Sequence, residues 1–439
     1  MSVPILDRDG VGVGATGQRR HLLGFLPALA LIGLAALVSR VAYTLISHGA
    51  DDRNLFNEGD AFYYATVAEN LVAGKWFVNL FSGVPVADHP PLTVLVLAPA
   101  AHLFPRNVLA LRLTMSIIGV LVVVVVGLAA RELAGRRAGL VAAVVALVNP
   151  NLWMNDALVM SESISALLIC LLVWSGIRLA RDPTTTRAAV SGALCGLTVL
   201  ARAEVGLFLP FMIVPILVVA GTLGWAQRLG RMALAAGLTV AVIAPWALWN
   251  LSRFEDPVLV STNDGTTLVG ANCPETYESG LIGSWSLRCV LGTFDGRRDA
   301  SEDSSHQRSL AFDYARDHLG SLPKVIFARE GRTFGFWRPD QYAYANRGEG
   351  RPRTASWAGY VFFWILVPVG VVGLAALRRR GTSVIPFCAA LVTVIVVSAA
   401  FYGIPRFRLP VDVALCLLAG AAFAADPNRG TVSPEEEPS

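Results

Sequence analysis

Apolar runs recur along this chain at lengths close to the ~20 residues that cross a ~30 Å hydrocarbon core. They cover 22–47, 107–130, 138–150, 161–180, 188–203, 204–223, 232–250, 357–377, 383–403 and 408–425. About ten spanning helices are predicted, which makes the fold class an all-α polytopic membrane protein. The run from Leu22 exceeds the roughly 7–15 apolar residues of a cleavable signal and reads as a retained first span. Two connections are long, 48–106 and 251–356. In the first, Phe62, Ala65, Ala68 and Leu71 recur at helical spacing between Asp60 and Val72, and Gly74 follows as a stop. That pattern predicts an amphipathic helix at the membrane surface. Pro91 to Phe104 is too short to cross comfortably and predicts a helix in, or dipping into, the interface; the alternative is a real span, which would invert the sidedness of everything after it. In the second connection, residues 262–265 read as a turn and Gln307 to Leu319 as a helix. The predicted organisation is a polar tail (1–21), a membrane module (22–250), a loop subdomain (251–356), C-terminal spans (357–425) and an acidic tail (426–439).

Charge gives the runs a direction. Arg131, Arg136 and Arg137 share one short connection; Arg178, Arg181 and Arg187 share another. Arg228 and Arg231 lie in a third, Arg378 to Arg380 in a fourth, and Arg19 and Arg20 precede the first span. Placed on one side, they satisfy the positive-inside rule. Both long connections then lie outside. The chain is 54% hydrophobic and only 15% charged, with a mean hydropathy of +0.56. Its net charge of +4 comes from scattered turn markers that form no basic stripe, so a nucleic-acid partner is excluded. Nucleotide-binding glycine loops and Cys/His metal spacings are absent from the sequence. Cys170, Cys195, Cys388 and Cys416 lie in apolar runs, whereas Cys273 and Cys289 share the second outer connection and are predicted to form a disulfide.

Against this apolar background three polar clusters stand out on the outer side. The first is Asn57-Glu58-Gly59-Asp60-Ala61-Phe62-Tyr63-Tyr64, with Asp88-His89-Pro90-Pro91 after it. Asp60 opens the predicted surface helix, where the helix dipole favours an anion. The second contains Asp156, Ser161 and Glu162 at the head of a span, and the third runs from Phe401 to Pro410. Arg406 and Arg408 offer guanidinium forks that suit a phosphate, flanked by Pro405 and Pro410. Arg202, followed by Glu204, and Lys75 are further candidates for the same phosphate. In the second outer connection, Trp337 and Arg338 are candidates to stack on an acceptor sugar. Each residue also has a plainer reading: Lys75 and Trp337 as interfacial anchors, His89 as a structural histidine, Glu162 as a helix-terminal charge.

The order of these elements resembles the integral-membrane GT-C glycosyltransferases, particularly bacterial relatives of protein O-mannosyltransferases and of the lipid A aminoarabinose transferase (glycosyltransferase families 39 and 83). The resembling residues are Gly59-Asp60-Ala61 with Tyr63-Tyr64, His89-Pro90-Pro91-Leu92 and Arg112-Leu113. Gly196 to Glu204 and Pro405-Arg406-Phe407-Arg408-Leu409-Pro410 complete the set. The likeness is strong over 20–210 and thin through 255–350. It implies inverting transfer of a sugar from a polyprenyl-phosphate donor to a hydroxyl of an extracytoplasmic glycan, lipid or protein, at a bacterial inner membrane. Asp60 matches the first-loop acidic residue and is the candidate base, with Glu58 as alternate. Glu162 or Asp156 stands for the second-loop acid, which would hold hydroxyls or share Mg²⁺ or Mn²⁺ with Asp60. Tyr63, Tyr64 and His89 are the remaining site candidates. The competing readings are a transporter or lipid flippase, against which the absence of a visible internal repeat weighs, and a non-catalytic assembly protein.

Overall fold

In the computed structural model of the chain, residues 13–48, 59–79 and 83–424 are described. Glu58 and the acidic tail (426–439) lie outside them. The first half comprises α1 (Val13–Ser47), α2 (Ala61–Val72), α3 (Leu92–Leu103), α4 (Val108–Ala134), α5 (Arg136–Val148), the single turn α6 (Pro150–Trp153), α7 (Glu162–Arg181), α8 (Thr185–Val199), α9 (Val214–Val218) and α10 (Trp225–Leu251). A small subdomain follows: α11 (Asn263–Ala271), α12 (Pro274–Glu278), α13 (Leu287–Leu291), α14 (Ala300–Asp317), α15 (Leu322–Phe334) and α16 (Tyr342–Arg347). The chain then re-enters the bundle through α17 (Arg353–Arg379), α18 (Ile385–Ala400) and α19 (Leu409–Ala422). Beside these helices and a few 3₁₀ and π turns, the described residues hold only an isolated bridge between Val78 and Pro85.

This is a multi-pass membrane protein. Gly24–Ser47 within α1, together with α4, α7, α10 and α17, is long and apolar enough to cross a membrane. The shorter α5, α8, α18 and α19 coincide with four more of the predicted runs. The run at 204–223 is not a continuous helix: a 3₁₀ turn at Ala203–Leu207 passes into a π turn at Leu209–Ile213 before α9. Pro210 and Pro215 remove backbone donors there, so the hydrogen-bond register shifts. Leu31, Val38, Val240, Leu248, Val371 and Val372 are exposed on α1, α10 and α17, as lipid-facing positions would be. Inside, small residues let helices approach closely. A Cβ on Gly192 would come within 2.2 Å of the Ala235 carbonyl oxygen, and one on Gly420 within 2.4 Å of the Ala138 oxygen.

The arginines of the short connections gather at one end of the bundle. Arg136 donates to the Gly24 carbonyl at 3.0 Å, Arg181 to the Glu132 carbonyl at 3.0 Å, and Arg380 to the Ala424 carbonyl at 3.4 Å. At the other end, α2 and α3 form a short layer clamped to the second long connection. Arg253 donates to the Phe77 and Val86 carbonyls at 2.9 and 2.8 Å, and the Thr262 amide to the Ala87 carbonyl at 2.8 Å. The Leu92 amide reaches the Leu200 carbonyl at 2.8 Å, joining the first connection to the end of α8.

Within the subdomain, Cys273 and Cys289 form the predicted disulfide. Two local expectations change. Residues 262–265 do not turn but start α11, with Thr262 at the cap. The helix expected from Gln307 begins at Ala300, because Asp299 and Glu302 form a reciprocal capping box ahead of it.

On α15, both carboxylate oxygens of Glu330 are buried without a hydrogen-bond partner. Burial pushes this carboxyl up to about 7, against about 4.3 when unfolded. The folded state therefore holds the proton more tightly, and stability falls as pH rises between these values. Glu330→Gln is expected to stabilise the protein by about 1–2 kcal/mol near pH 8, after allowance for screening, and by almost nothing near pH 4. Thermal unfolding of the two proteins in detergent at both pH values checks this.

Candidate active site

The outer polar clusters, far apart in sequence, meet where α2, α7, the subdomain and the turn before α19 converge. Gly59, at φ +62°, swings the chain into α2, a conformation that suits glycine. Asp60 occupies the cap position, but its side chain makes no cap hydrogen bond. Its carboxylate instead faces two cations or potential cations. Arg406 Nη1 donates to Asp60 Oδ2 at 3.0 Å, and His89 Nε2 lies 3.4 Å from Asp60 Oδ1. Tyr64, one helical turn along, stacks on His89 with ring centroids 5.1 Å apart, and Tyr63 meets it edge-on at 5.0 Å. Burial disfavours the Asp60 anion, yet His89 and Arg406 outweigh it and hold the carboxyl well below the usual carboxylate range.

Arg406 is the hub. Its Nη1 also lies 2.9 Å from Glu349 Oε1 and 3.9 Å from Glu162 Oε1, and its Nη2 lies 3.4 Å from the Tyr402 hydroxyl. Glu162, at the first residue of α7, is 2% exposed and also meets Arg202 Nη1 and Arg351 Nη2, each at 3.3 Å. Arg202 is held in turn by Glu204 at 2.6 Å; Arg351 pairs with Glu349 and donates to Asn155 Oδ1 at 2.8 Å. The result is an interleaved lattice of carboxylates and guanidinium groups. Alternating charges keep buried ions affordable, since removal of any one leaves its neighbours uncompensated.

Other candidates lie elsewhere. Asp156 is buried against Arg40 at 3.2 Å and accepts from Ser163 at 2.7 Å, away from Asp60. Arg408 pairs with Asp412 at 3.3 Å, donates to the Tyr342 hydroxyl at 3.2 Å and covers the Phe363 ring at 3.7 Å. Lys75 is exposed beyond the end of α2. Asp60 and Glu162, considered together for Mg²⁺ or Mn²⁺, meet the Arg406 guanidinium between them. Among the described residues, no group of three or more His, Cys, Asp or Glu side chains is placed to hold a metal ion. Glu349 and Arg351 were not anticipated. The signal available for them is the string Arg347-Gly348-Glu349-Gly350-Arg351-Pro352, a lone carboxylate among arginines just ahead of a span.

Two cavities flank the hub and share Asp60, Asn263, Thr267, Tyr402 and Arg406 in their walls. One, of about 730 Å³, adds Arg202, Glu204 and His89 to an apolar wall that includes Val396, Val397, Ala400 and Phe407. The other, of about 560 Å³, is walled by Glu349, Arg332, Arg338, Gln341, Tyr342 and two tryptophans, Trp285 and Trp337.

Fold and site together define a polytopic helical membrane protein with a charged, two-cavity site at the end opposite its arginine-rich connections. Residues 88–249 match the family model of dolichyl-phosphate-mannose-protein mannosyltransferases. No curated protein matches the chain. Among solved structures it is similar to ArnT from Cupriavidus metallidurans bound to undecaprenyl phosphate, at 16% identity over 94% of this chain and 78% of that one, with a TM-score of 0.43. It is also similar to the apo oligosaccharyltransferase of Archaeoglobus fulgidus, at 15% identity and a TM-score of 0.49, over 89% of this chain. The chain spans about half the length of that archaeal protein, 50%.

Proposed function

We propose that this chain is an inverting glycosyltransferase that moves a sugar from a polyprenyl-phosphate donor to a hydroxyl of an acceptor, at the outer face of a bacterial inner membrane. The observation that carries the reading is the Asp60–Arg406 pair standing in the wall common to two cavities. A carboxylate and a phosphate-binding guanidinium, accessible from both sides, are what a two-substrate displacement needs. The sidedness rests on the arginine-rich connections at the opposite end and the positive-inside rule.

The donor takes the larger cavity, with its prenyl chain along the apolar wall and its phosphate toward Arg406 and Arg202. The acceptor takes the smaller. Asp60 accepts the proton of the acceptor hydroxyl as its oxygen attacks the anomeric carbon from the face opposite the phosphate. The bond from that carbon to the phosphate oxygen breaks, the electron pair stays with the phosphate, and the guanidinium groups stabilise it. At rest His89 and Arg406 together hold Asp60 as a weak base. A donor phosphate that draws Arg406 toward itself restores basicity to Asp60, so the base becomes competent when the donor is in place.

The test is sugar transfer in proteoliposomes carrying radiolabelled polyprenyl-phosphate hexoses and pentoses, with detergent-extracted cell envelope as acceptor. Label in the acceptor fraction is expected. Movement of the labelled lipid between leaflets with no transfer would sink the enzyme reading in favour of a flippase.

A further inference from the structure

The smaller cavity says something about the acceptor. Its walls combine broad aromatic faces, Trp285, Trp337 and Tyr342, with the donors Gln341, Arg332 and Arg338 and the carboxylates of Asp60 and Glu349. The tryptophans are held in built positions. The Trp285 indole N–H donates to the Thr266 carbonyl at 3.1 Å, and the ring lies so close to Gly270 that a Cβ there would come within 2.1 Å of Nε1. Trp285 also sits inside the loop closed by Cys273 and Cys289. Trp337 abuts Gly331, where a Cβ would come within 2.3 Å of the Trp337 Cβ, and its amide donates to the Gly331 carbonyl at 2.9 Å. Arg332 staples the two halves of the wall together: it donates to the Ile282 carbonyl at 2.6 Å, the Gly280 carbonyl at 3.0 Å and Gln341 Oε1 at 2.8 Å. These rings are fixed, and the plain interfacial role expected for Trp337 does not explain why two of them wall the same cavity as Asp60.

Flat aromatic faces beside amide and guanidinium donors match a cyclic sugar, which has one apolar C–H face and a rim of hydroxyls. A peptide acceptor finds less here, since the described residues supply no strand edge on which to lay an extended backbone. We infer that the acceptor is a saccharide, a glycan or the sugar part of a glycolipid, seated on Trp285 and Trp337 with the attacking hydroxyl toward Asp60. This deepens the reading under Proposed function and rests on it.

The experiment measures binding separately from transfer. Full-length protein in nanodiscs is titrated with a panel of α- and β-linked hexo- and pento-tetrasaccharides and with a Ser/Thr-rich decapeptide, using tryptophan fluorescence and saturation-transfer NMR. Saturable binding of at least one tetrasaccharide is expected, weakened about tenfold or more by Trp285→Ala and largely kept by Trp285→Phe. The phenylalanine variant guards against a loss caused by misfolding. Silence across the whole saccharide panel, binding indifferent to Trp285→Ala, or Trp285-dependent binding of the peptide instead would each overturn the inference. Saccharide binding without transfer by the unaltered protein would leave this inference standing and bring down the glycosyltransferase reading alone.

Discussion

Asp60→Asn is expected to lower sugar transfer by about 10²–10⁴-fold, the span usual for loss of a positioned acid–base group. The substitution spares its surroundings. Asparagine keeps the size of aspartate, so α2 and its cap geometry persist. Arg406 retains Glu349 at 2.9 Å and Glu162 at 3.9 Å, so the hub cation is not left unpaired. The variant should therefore insert, fold and bind donor. Transfer measured at saturating donor separates the effects: a fall in turnover with little change in donor affinity identifies Asp60 as the base. Full activity in a properly folded Asp60→Asn protein would remove it from the mechanism.

Arg406→Ala should be more damaging, because one side chain serves two purposes. It compensates Asp60, Glu349 and Glu162 at once, and its removal leaves the buried Glu162 and the partly exposed Asp60 and Glu349 facing one another. Breaking a fully buried pair from one side commonly costs about 3–5 kcal/mol; Asp60 and Glu349 are only partly buried, so a loss of stability at or below the lower end of that range, read as a drop in the unfolding midpoint, is expected. It also removes the proposed phosphate ligand, so residual folded protein should show weakened donor binding as well as lost transfer. Arg406→Lys separates the two purposes. A lysine restores the charge but not the planar fork, and should recover most of the stability while transfer stays low. Equal recovery of both would mean that Arg406 acts only as a structural counter-ion.

Much of the frame was legible along the chain because it follows from periodicity. Apolar length marked the spans, and the arginines of the short connections marked one end of the bundle. Helical spacing after Asp60 marked α2, which the structure places at Ala61–Val72. Two cysteines in one outer connection marked the disulfide. The run at 204–223 was misleading, since hydropathy does not register the two prolines that break it into turns.

The partners within the site were not legible, and the reason is geometric. Arg406 and Arg408 are alike in sequence, two residues apart, and both seemed fit for a phosphate. They sit on a 3₁₀ turn, Pro405–Arg408, where each residue advances about a third of a turn. The two side chains therefore diverge: Arg406 meets Asp60, and Arg408 turns inward to Asp412. Asp156 and Glu162 divide in the same way, one to Arg40 and one to the hub. Glu349 and Arg351 come from a loop with no periodicity to read. Sequence by itself determined which runs are apolar and helical, that the arginines of the short connections share one end of the bundle, and that an acidic residue heads the helix after the first span, because local spacing and solvent preference decide those matters. Only the tertiary structure decided that Asp60 shares one guanidinium with Glu349 and Glu162 between two cavities, because contacts between segments hundreds of residues apart depend on how helices pack.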